Sequence, residues 1–213
     1  MKGDYRSIQT EAELSDLLTK LRQAPSFTLD AILTSPEPMR AEIAGFAVCP
    51  EPGQAFYIPL FKPEPVAEKA WRKTVWTAFS PILADQVVHK AGHDCKSILV
   101  ALQRMGMNLA GLDCDTMVAA YLLNPARRSF ELADLVYDQS ERQILTHKDI
   151  LGSGAKALSF REAESGRIRD FACRRVDAIS TLCPSLMDRI ENEGFASLLR
   201  DLEMPLISVL AAM

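Results

Sequence analysis

The sequence predicts an α/β fold in which helices flank a mixed β-sheet. Three β-rich segments, SFTLDAI, AEIAGFAV and QAFYIPL, follow one another between residues 26 and 60, and the short connections between them are typical of an antiparallel meander. Between residues 85 and 125 strand and helix patterns alternate, which favours parallel strand pairs. After about residue 125 the pattern is helical. With 213 residues, 48% of them apolar, the chain can bury one large core.

The first predicted element is a helix that begins after Thr10. Glu13 lies three residues further on, so the pair forms a capping-box pattern, and Pro25 ends the segment. Apolar residues then recur at helical spacing and predict one buried face: Leu14, Leu17, Leu18 and Leu21. Of the strands that follow, the second and third are separated by CPEPG, whose proline and glycine favour a turn.

The middle of the chain supplies the parallel part of the predicted sheet. A helical segment at residues 66–83 carries both tryptophans, and DQVVHKAG then predicts a buried strand that ends at Gly92. Residues 94–105 predict an apolar helix, with Gly106 placed to end it. NLAGLDC predicts the last strand, and DTMVAAYLLNP predicts a helix that Pro125 stops.

Composition excludes several classes of protein. Twenty-eight acidic residues exceed twenty-four basic ones, giving a net charge of −4, so the basic excess of a dedicated DNA-binding domain is absent, although a local groove is not excluded. No segment reaches the roughly 18 apolar residues of a membrane span, and the start MKGDYRSIQT lacks the apolar centre of a signal peptide. Five scattered cysteines without a CxxC pair indicate reduced thiols. We expect a cytoplasmic protein without membrane contact.

The stretch AGHDCKSI, residues 91–98, collects a histidine, an aspartate, a cysteine and a lysine. It is open to two interpretations: a catalytic or metal-binding site, or the polar residues of a strand-to-helix turn. We favour the turn, because Asp94 is placed to cap the following helix. His89 and His93 have the i, i+4 spacing of a metal pair, but the predicted strand end at Gly92 breaks any common helical face.

Two further polar pairs are candidates for chemistry. Asp113 and Asp115 flank Cys114, and Asp115 is placed to cap the next helix, with a catalytic role as the alternative. Arg127 and Arg128 are candidates for a phosphate contact, but a solvated loop is the favoured interpretation.

Five segments in order resemble the 3′–5′ exonuclease domain of bacterial DNA polymerase I, a family A DNA polymerase. GLDCDTMVAAYLLNPARRSFELADLVYD is similar to the family's Asp-Thr-Met helix and the helix after it. FTLD and EPGQAFYIPL are similar to its first and third strands, and AGHDCKSIL to the strand and helix before the Asp-Thr-Met segment. LEMPLISVLAAM is similar to the opening helix of the polymerase region. The resemblance covers nearly the whole chain.

The resemblance implies a ribonuclease H-like fold with a mixed five-stranded sheet, three strands antiparallel and two parallel. It implies an exonuclease-like domain at residues 1–193 and a truncated start of the polymerase region at 194–213. The parent protein would be a DNA-directed DNA polymerase, a nucleotidyltransferase of DNA replication and repair. Its polymerase domain would be this domain's partner, would contact DNA, and would be the part that requires Mg²⁺. The fragment itself is expected to be a monomer.

Active members of that family hold two divalent ions with four carboxylates. Carried over residue by residue, the resemblance implies that Asp30 is the one retained carboxylate. Ile32, Ile98 and Arg175 would replace the other three, and Phe171 would replace the family's tyrosine.

The register of the last helix decides between Arg175 and Asp177 at the fourth position. At about 100° per residue, the apolar residues of this segment share one face with Arg175, and Asp177 lies nearly opposite, where it would be a solvated charge. We therefore expect a vestigial, catalytically inactive domain that binds no metal and serves as a structural module. The alternative is an active two-metal exonuclease with rewired ligands, drawn from Asp30, Asp94 and Asp177.

Overall fold

A computed structural model describes residues 3–213 and has the predicted α/β architecture. The strands are β1 Asp4–Ser7, β2 Ser26–Leu33, β3 Ile43–Glu51, β4 Gln54–Pro59, β5 His89–Gly92 and β6 Leu112–Asp115. The helices are α1 Glu11–Gln23, α2 Pro65–Ala84, α3 Cys95–Gln103, α4 Thr116–Leu123, α5 Leu132–Ser140, α6 His147–Leu151, α7 Ser165–Asn192, α8 Ala196–Leu198 and α9 Met204–Ala212. A 3₁₀ turn at Gly154–Lys156 and a π-helical turn at Leu199–Glu203 complete the described elements.

The sheet has six described strands in the order β1-β4-β3-β2-β5-β6, so the expected count of five is wrong by one. The additional strand β1 runs parallel to β4 and pairs Asp4 with Gln54 at the edge of the sheet. Its four residues, DYRS, are mostly polar, so the sequence carries no hydrophobic run that would predict a strand. The strand forms because its backbone pairs with the edge of β4.

The predicted antiparallel meander is confirmed by the pairings of β2 with β3 and of β3 with β4. The two parallel strands are also present, but they are shorter than expected. Residues 85–88 form an exposed connection rather than the beginning of β5, and Val87 is 82% exposed. The buried Lys90 explains this geometry, because its ammonium donates to the backbone oxygens of Asp85, Val88 and Ala110.

Successive side chains of β2 point to opposite faces of the sheet, and this alternation positions the candidate site. Leu29 and Ala31 belong to the core formed with α1, α2 and α3, whereas Ile32 belongs to the core beneath α6 and the first half of α7. Asp30 shares the face of Ile32 and therefore points at α7. The predicted capping box and the four buried leucines of α1 are confirmed on the opposite face.

The C-terminal segment packs against the same domain. α7 ends at Asn192, Gly194 takes a left-handed conformation with φ of 79°, and α9 then packs on α3. The change of direction at Gly194 fits a boundary after residue 193, which stays a prediction. Among residues 3–213, no helix combines the length and the apolar character that crossing a bilayer requires.

Candidate functional site

A cleft of about 400 Å³ opens at the carboxyl ends of β2 and β5, beside α7. β2 and its continuation supply residues 30–36, and the turn into α3 supplies His93, Asp94, Ser97 and Ile98. Glu131, His147 and Arg175 close the other side. The cleft therefore brings together, from distant parts of the chain, the positions that the resemblance assigns to metal ligands.

Asp30 and Arg175 form an ion pair at the base of this cleft. The Arg175 Nε donates to the Asp30 Oδ2 over 2.8 Å, and the Arg175 and Asp30 side chains are only 18% and 4% exposed respectively. The expectation that Arg175 lies on the inward face of α7 is confirmed by this contact. Burial strengthens the attraction between the two charges, but it also removes their hydration. The two effects largely cancel, so the net contribution of the pair to stability is small.

Apolar side chains occupy the other expected ligand positions. Ile32 and Ile98 are 1% and 3% exposed, and Phe171 is completely buried. The Phe171 ring lies beneath Arg175, with 5.4 Å between the guanidinium carbon and the ring centroid, and it has no hydroxyl to orient water. Among the described residues, no three Asp, Glu, His or Cys side chains are arranged to hold a metal ion. Two divalent cations do not fit this donor set.

Asp177 lies on the same helix as Arg175 but serves another part of the fold. It accepts hydrogen bonds from the Tyr5 hydroxyl and from the Gly53 backbone N–H, each at 2.7 Å. The expectation that Asp177 is simply a solvated charge is wrong, because it is partly buried and ties α7 to β1 and the β3–β4 turn. It is no part of the cleft lining.

His93 is a buried residue of the cleft lining and is hydrogen-bonded to Thr116. The Thr116 hydroxyl donates to the Gly92 carbonyl oxygen, so it accepts from the His93 Nδ1, 2.9 Å away. Burial, and secondly the charge of Arg175, lowers the pKa of His93 to about 3. The imidazole is therefore neutral near pH 7 and supports the turn as a hydrogen-bond donor.

The AGHDCKSI stretch folds as the strand-to-helix turn that we predicted. Asp94 adopts a left-handed conformation with φ of 49° and caps α3 through the Ser97 N–H. The buried Asp115 caps α4 through the Met117 N–H at 2.9 Å, as expected, and also accepts from the Cys95 N–H at 2.7 Å. Burial raises the pKa of Asp115 despite these bonds. One carboxylate thus joins the starts of two helices.

His89 and Arg127, from the two remaining sequence motifs, lie outside the cleft. His89 lies exposed at the start of β5, 2.5 Å from Asp113, and is separated from the buried His93 by the strand end. Arg127 is engaged by the Ser129 carbonyl oxygen and by Asp138, the latter at 2.6 Å. These contacts support the structural interpretation of both motifs.

Comparison with known proteins places this site in a family. A family model described as "DNA polymerase I, ribonuclease H-like domain" matches residues 33–182, which is more than half of the chain. The chain belongs to this family. DNA polymerase I of Pseudomonas aeruginosa is 28% identical over 212 residues, and that of Chloroflexus aurantiacus is 30% identical over 211. The alignments cover 98% and 97% of this chain but only 23% and 22% of those relatives.

Solved structures support the ribonuclease H-like fold of this DNA polymerase I domain. The POL domain of Pol1 from M. smegmatis, in complex with primer-template DNA and dNTP, superposes with a TM-score of 0.74 at 24% identity, covering 97% of this chain and 31% of that one. Escherichia coli RNase D superposes with a TM-score of 0.75 at 18% identity, covering 99% and 51%. At these identities the similarity shows the fold alone.

The polymerase I ribonuclease H-like domain also contains two cleft residues that the sequence did not predict. His147, at the start of α6, packs edge-on over Phe171 with ring centroids 4.9 Å apart, and Glu131 lies at the exposed rim. Desolvation, and secondly the charge of Arg175, lowers the pKa of His147. No local pattern marks either residue, because they reach the cleft only through the packing of α6, which begins at His147, and of the start of α5, which Glu131 precedes.

Proposed function

We propose that this domain is a catalytically inactive 3′–5′ exonuclease domain that serves as a structural module of a family A DNA polymerase in DNA replication and repair. The observation that carries the proposal is the Arg175 guanidinium on the Asp30 carboxylate, 2.8 Å apart inside the cleft. This contact supports the proposal, because the resemblance implies a negatively charged metal ligand at the position that Arg175 occupies.

Charge balance explains why the pair is incompatible with a two-metal site. Two divalent cations bring four positive charges, which hard oxygen ligands normally balance. Asp30 offers one negative charge and Arg175 already neutralises it. Ile32 and Ile98 add apolar surface around the pair, which raises the free-energy cost of placing a metal ion there.

The role of a structural module follows from what the chain retains. The sheet, the flanking helices and the cleft are present, whereas Ile32, Ile98 and Arg175 stand where the resemblance implies carboxylates. Residues 194–213 would lead into the polymerase region of the parent chain. DNA would be bound, and Mg²⁺ used, by that region, while the present domain would be a cytoplasmic, monomeric support that binds no metal.

The alternative is an active exonuclease with rewired ligands. It requires Asp30, Asp94 and Asp177 to act together, but Asp177 is held by Tyr5 and Gly53, away from the cleft. Asp94 lines the cleft, yet its carboxylate caps α3. The geometry therefore favours the inactive domain.

The decisive experiment measures nuclease activity and metal binding on the same preparation. A 5′-labelled single-stranded oligonucleotide is incubated with the domain in millimolar Mg²⁺ or Mn²⁺, and Mn²⁺ binding is followed by calorimetry. We expect no shortening of the oligonucleotide and no saturable heat. The Asp30→Ala variant identifies any contaminating nuclease. Stepwise 3′ degradation by the wild-type domain that this variant abolishes would refute the proposal.

A further inference from the structure

Two cysteine thiols meet where α7 crosses β6. Cys114 lies in β6 and is buried, whereas Cys183 lies on α7 and is partly exposed. Their side chains are in hydrogen-bond contact with each other. The fold therefore places two thiols from distant parts of the chain side by side, and one of them can be reached from solvent.

The register of the sheet explains why Cys114 faces α7. Cys114 pairs with Ala91 of β5, and Ala91 pairs with Thr28 of β2, so the three side chains share one face of the sheet. Thr28 lies two residues before Asp30, whose side chain points at α7. Because alternate residues of a strand share a face, Cys114 points at α7 as well.

Distances across the sheet and along the helix agree with this contact. Cys114 lies two strands across and two residues along from Asp30, a separation of about 12 Å at the usual strand spacing and rise. Cys183 lies eight residues beyond Arg175, which is about 12 Å along α7. Since Arg175 contacts Asp30, the same helix brings Cys183 to Cys114.

The surroundings give the two thiols different reactivities. The hydrogen bond with Cys114 lowers the pKa of Cys183, against the opposing effects of burial and of the charge of Asp113. The same hydrogen bond, and secondly burial, raises the pKa of Cys114. The thiolate is the nucleophilic form of cysteine, so Cys183 is the thiol that reacts first with an electrophile from solvent.

The other three cysteines have neither property. Cys49, Cys95 and Cys173 are buried, and desolvation raises the pKa of each, in Cys49 and Cys173 to about 12. Within residues 3–213, Cys183 is therefore the one cysteine that combines solvent access with a lowered pKa. A metal site is not the explanation, because no three Asp, Glu, His or Cys side chains in the described part of the chain could hold an ion.

We propose that Cys114 and Cys183 are a peroxide-sensitive dithiol, which closes to a disulfide between β6 and α7 when the domain is oxidised. The Cys183 thiolate attacks hydrogen peroxide. An S–O bond forms, the O–O bond breaks, and the hydroxide that leaves takes up the proton that Cys183 released. The Cys114 sulfur then attacks the sulfenic Cys183. The S–S bond forms, the S–O bond breaks, and the Cys114 proton converts the departing hydroxide to water. Two thiols thus lose two electrons, and one peroxide becomes two waters.

The disulfide constrains the part of the fold that closes the cleft. It encloses a loop of about 70 residues, and three residues opposite β2 lie within that loop: Glu131, His147 and Arg175. Pro184 follows Cys183 in α7 and has no N–H to donate to the helix, so the backbone there is less constrained against the shift that S–S bonding requires. The inference does not depend on whether the cleft is catalytic.

The test is oxidation of the reduced domain by a modest excess of hydrogen peroxide, followed by alkylation in urea and peptide mapping by mass spectrometry. We expect a peptide pair linked through Cys114 and Cys183, which dithiothreitol separates, and alkylation of the remaining cysteines. In the reduced, native domain, iodoacetamide should modify Cys183 at least ten times faster than any other cysteine. Linkage of a different pair, or similar alkylation rates at several cysteines, would overturn the proposal.

Variants separate the roles of the two sulfurs. Cys114→Ser keeps the attacking thiol and removes its partner, so dimedone should label Cys183 after peroxide treatment. Cys183→Ser should form no disulfide, whereas the control Cys173→Ala, which removes a buried thiol elsewhere on α7, should still form it. Circular dichroism verifies that each variant is folded, and the wild-type peptide map does not depend on any of them.

Thermal unfolding gives an independent readout. A disulfide that closes a long loop should raise the wild-type midpoint by about 5–10 °C. Peroxide should leave the midpoint of Cys183→Ser unchanged. An unchanged or lower midpoint in the oxidised wild type, or sulfinic acid at Cys183 in place of the disulfide, would show that the native fold does not position the two sulfurs for a bond and would refute the proposal.

Discussion

Replacing Arg175 by methionine tests directly whether its charge is needed in the cleft. Methionine keeps most of the length and apolar surface of the side chain and removes the guanidinium. The Asp30 carboxylate, 4% exposed, is then left in apolar surroundings without its cation. Breaking a buried pair from one side costs about 3–5 kcal/mol, because the remaining charge has lost both its partner and its water.

The magnitude follows from the distance. At 2.8 Å and an effective dielectric constant of about 20, the attraction between the Arg175 and Asp30 charges is roughly 6 kcal/mol, most of which desolvation offsets in the intact pair. The variant loses this attraction while much of the desolvation cost of the carboxylate remains. Urea denaturation followed by circular dichroism should show a midpoint lowered by roughly 1–2 M, given an m-value of about 2–3 kcal/mol/M.

A double-mutant cycle separates the pair from the packing. Asp30→Leu with Arg175→Met removes both charges, and its stability should lie within about 1 kcal/mol of the wild type, because apolar replacement of a buried pair is close to neutral. Arg174→Met, at the exposed neighbouring position, is the control and should leave stability unchanged. A loss below about 1 kcal/mol in Arg175→Met, or additive effects in the double variant, would refute the reasoning.

Three further predictions concern the ligands and the turn behind them. Introducing Ile32→Glu, Ile98→Asp and Arg175→Asp together should restore four carboxylates around the cleft and produce saturable, sub-millimolar Mn²⁺ binding in calorimetry. The folded-state pKa of His93, about 3, lies below its ordinary value of 6.5, so the unfolded chain binds an additional proton between these values. Lowering the pH through that window should therefore reduce the free energy of unfolding by up to about 1.4 kcal/mol per pH unit, and His93→Gln should reduce this dependence. Asp115→Asn should cost about 2 kcal/mol in urea denaturation, since it weakens the caps of α3 and α4.

Each of these predictions has a control elsewhere in the domain. The single Ile32→Glu variant should not bind Mn²⁺, because Arg175 still occupies the site, and binding by it would contradict the charge argument. His89→Gln, at the exposed start of β5, should keep the acid sensitivity of the wild type. Asp113→Asn, two residues from Asp115 but exposed, should be nearly neutral, and an equal loss in both variants would show that capping is not the cause.

Most of the helices and strands could be predicted from the sequence, because the signals for them come from residues that are close together in the chain. The capping box of Thr10 and Glu13, the leucine face of α1 and the caps at Asp94 and Asp115 all depend on residues a few positions apart, and each is present in the structure. The inward position of Arg175 was also predictable, because helical periodicity alone fixes which side chains share its face. The prediction of a ribonuclease H-like fold came from the order of five segments that resemble the exonuclease domain of the family.

The remaining features depend on contacts between distant parts of the chain. β1 exists because the edge of β4 is available for pairing and because Asp177, on α7, holds Tyr5. Asp177 itself was predicted to face solvent, since periodicity identifies the face of a helix that lies away from the core but not what other segment will cover it. The late start of β5 follows from Lys90, whose ammonium donates to three carbonyl oxygens.

The sequence by itself determined which residue types stand at the positions that the resemblance assigns to ligands, since the identity of a residue needs no coordinates. Only the tertiary structure decided what the residues at these positions do: that the guanidinium of Arg175 reaches Asp30, and that His147 covers Phe171. The physical reason is the range of the forces involved. Capping and periodicity act over a few residues, whereas charge pairing and burial depend on distances in space that only the completed fold establishes.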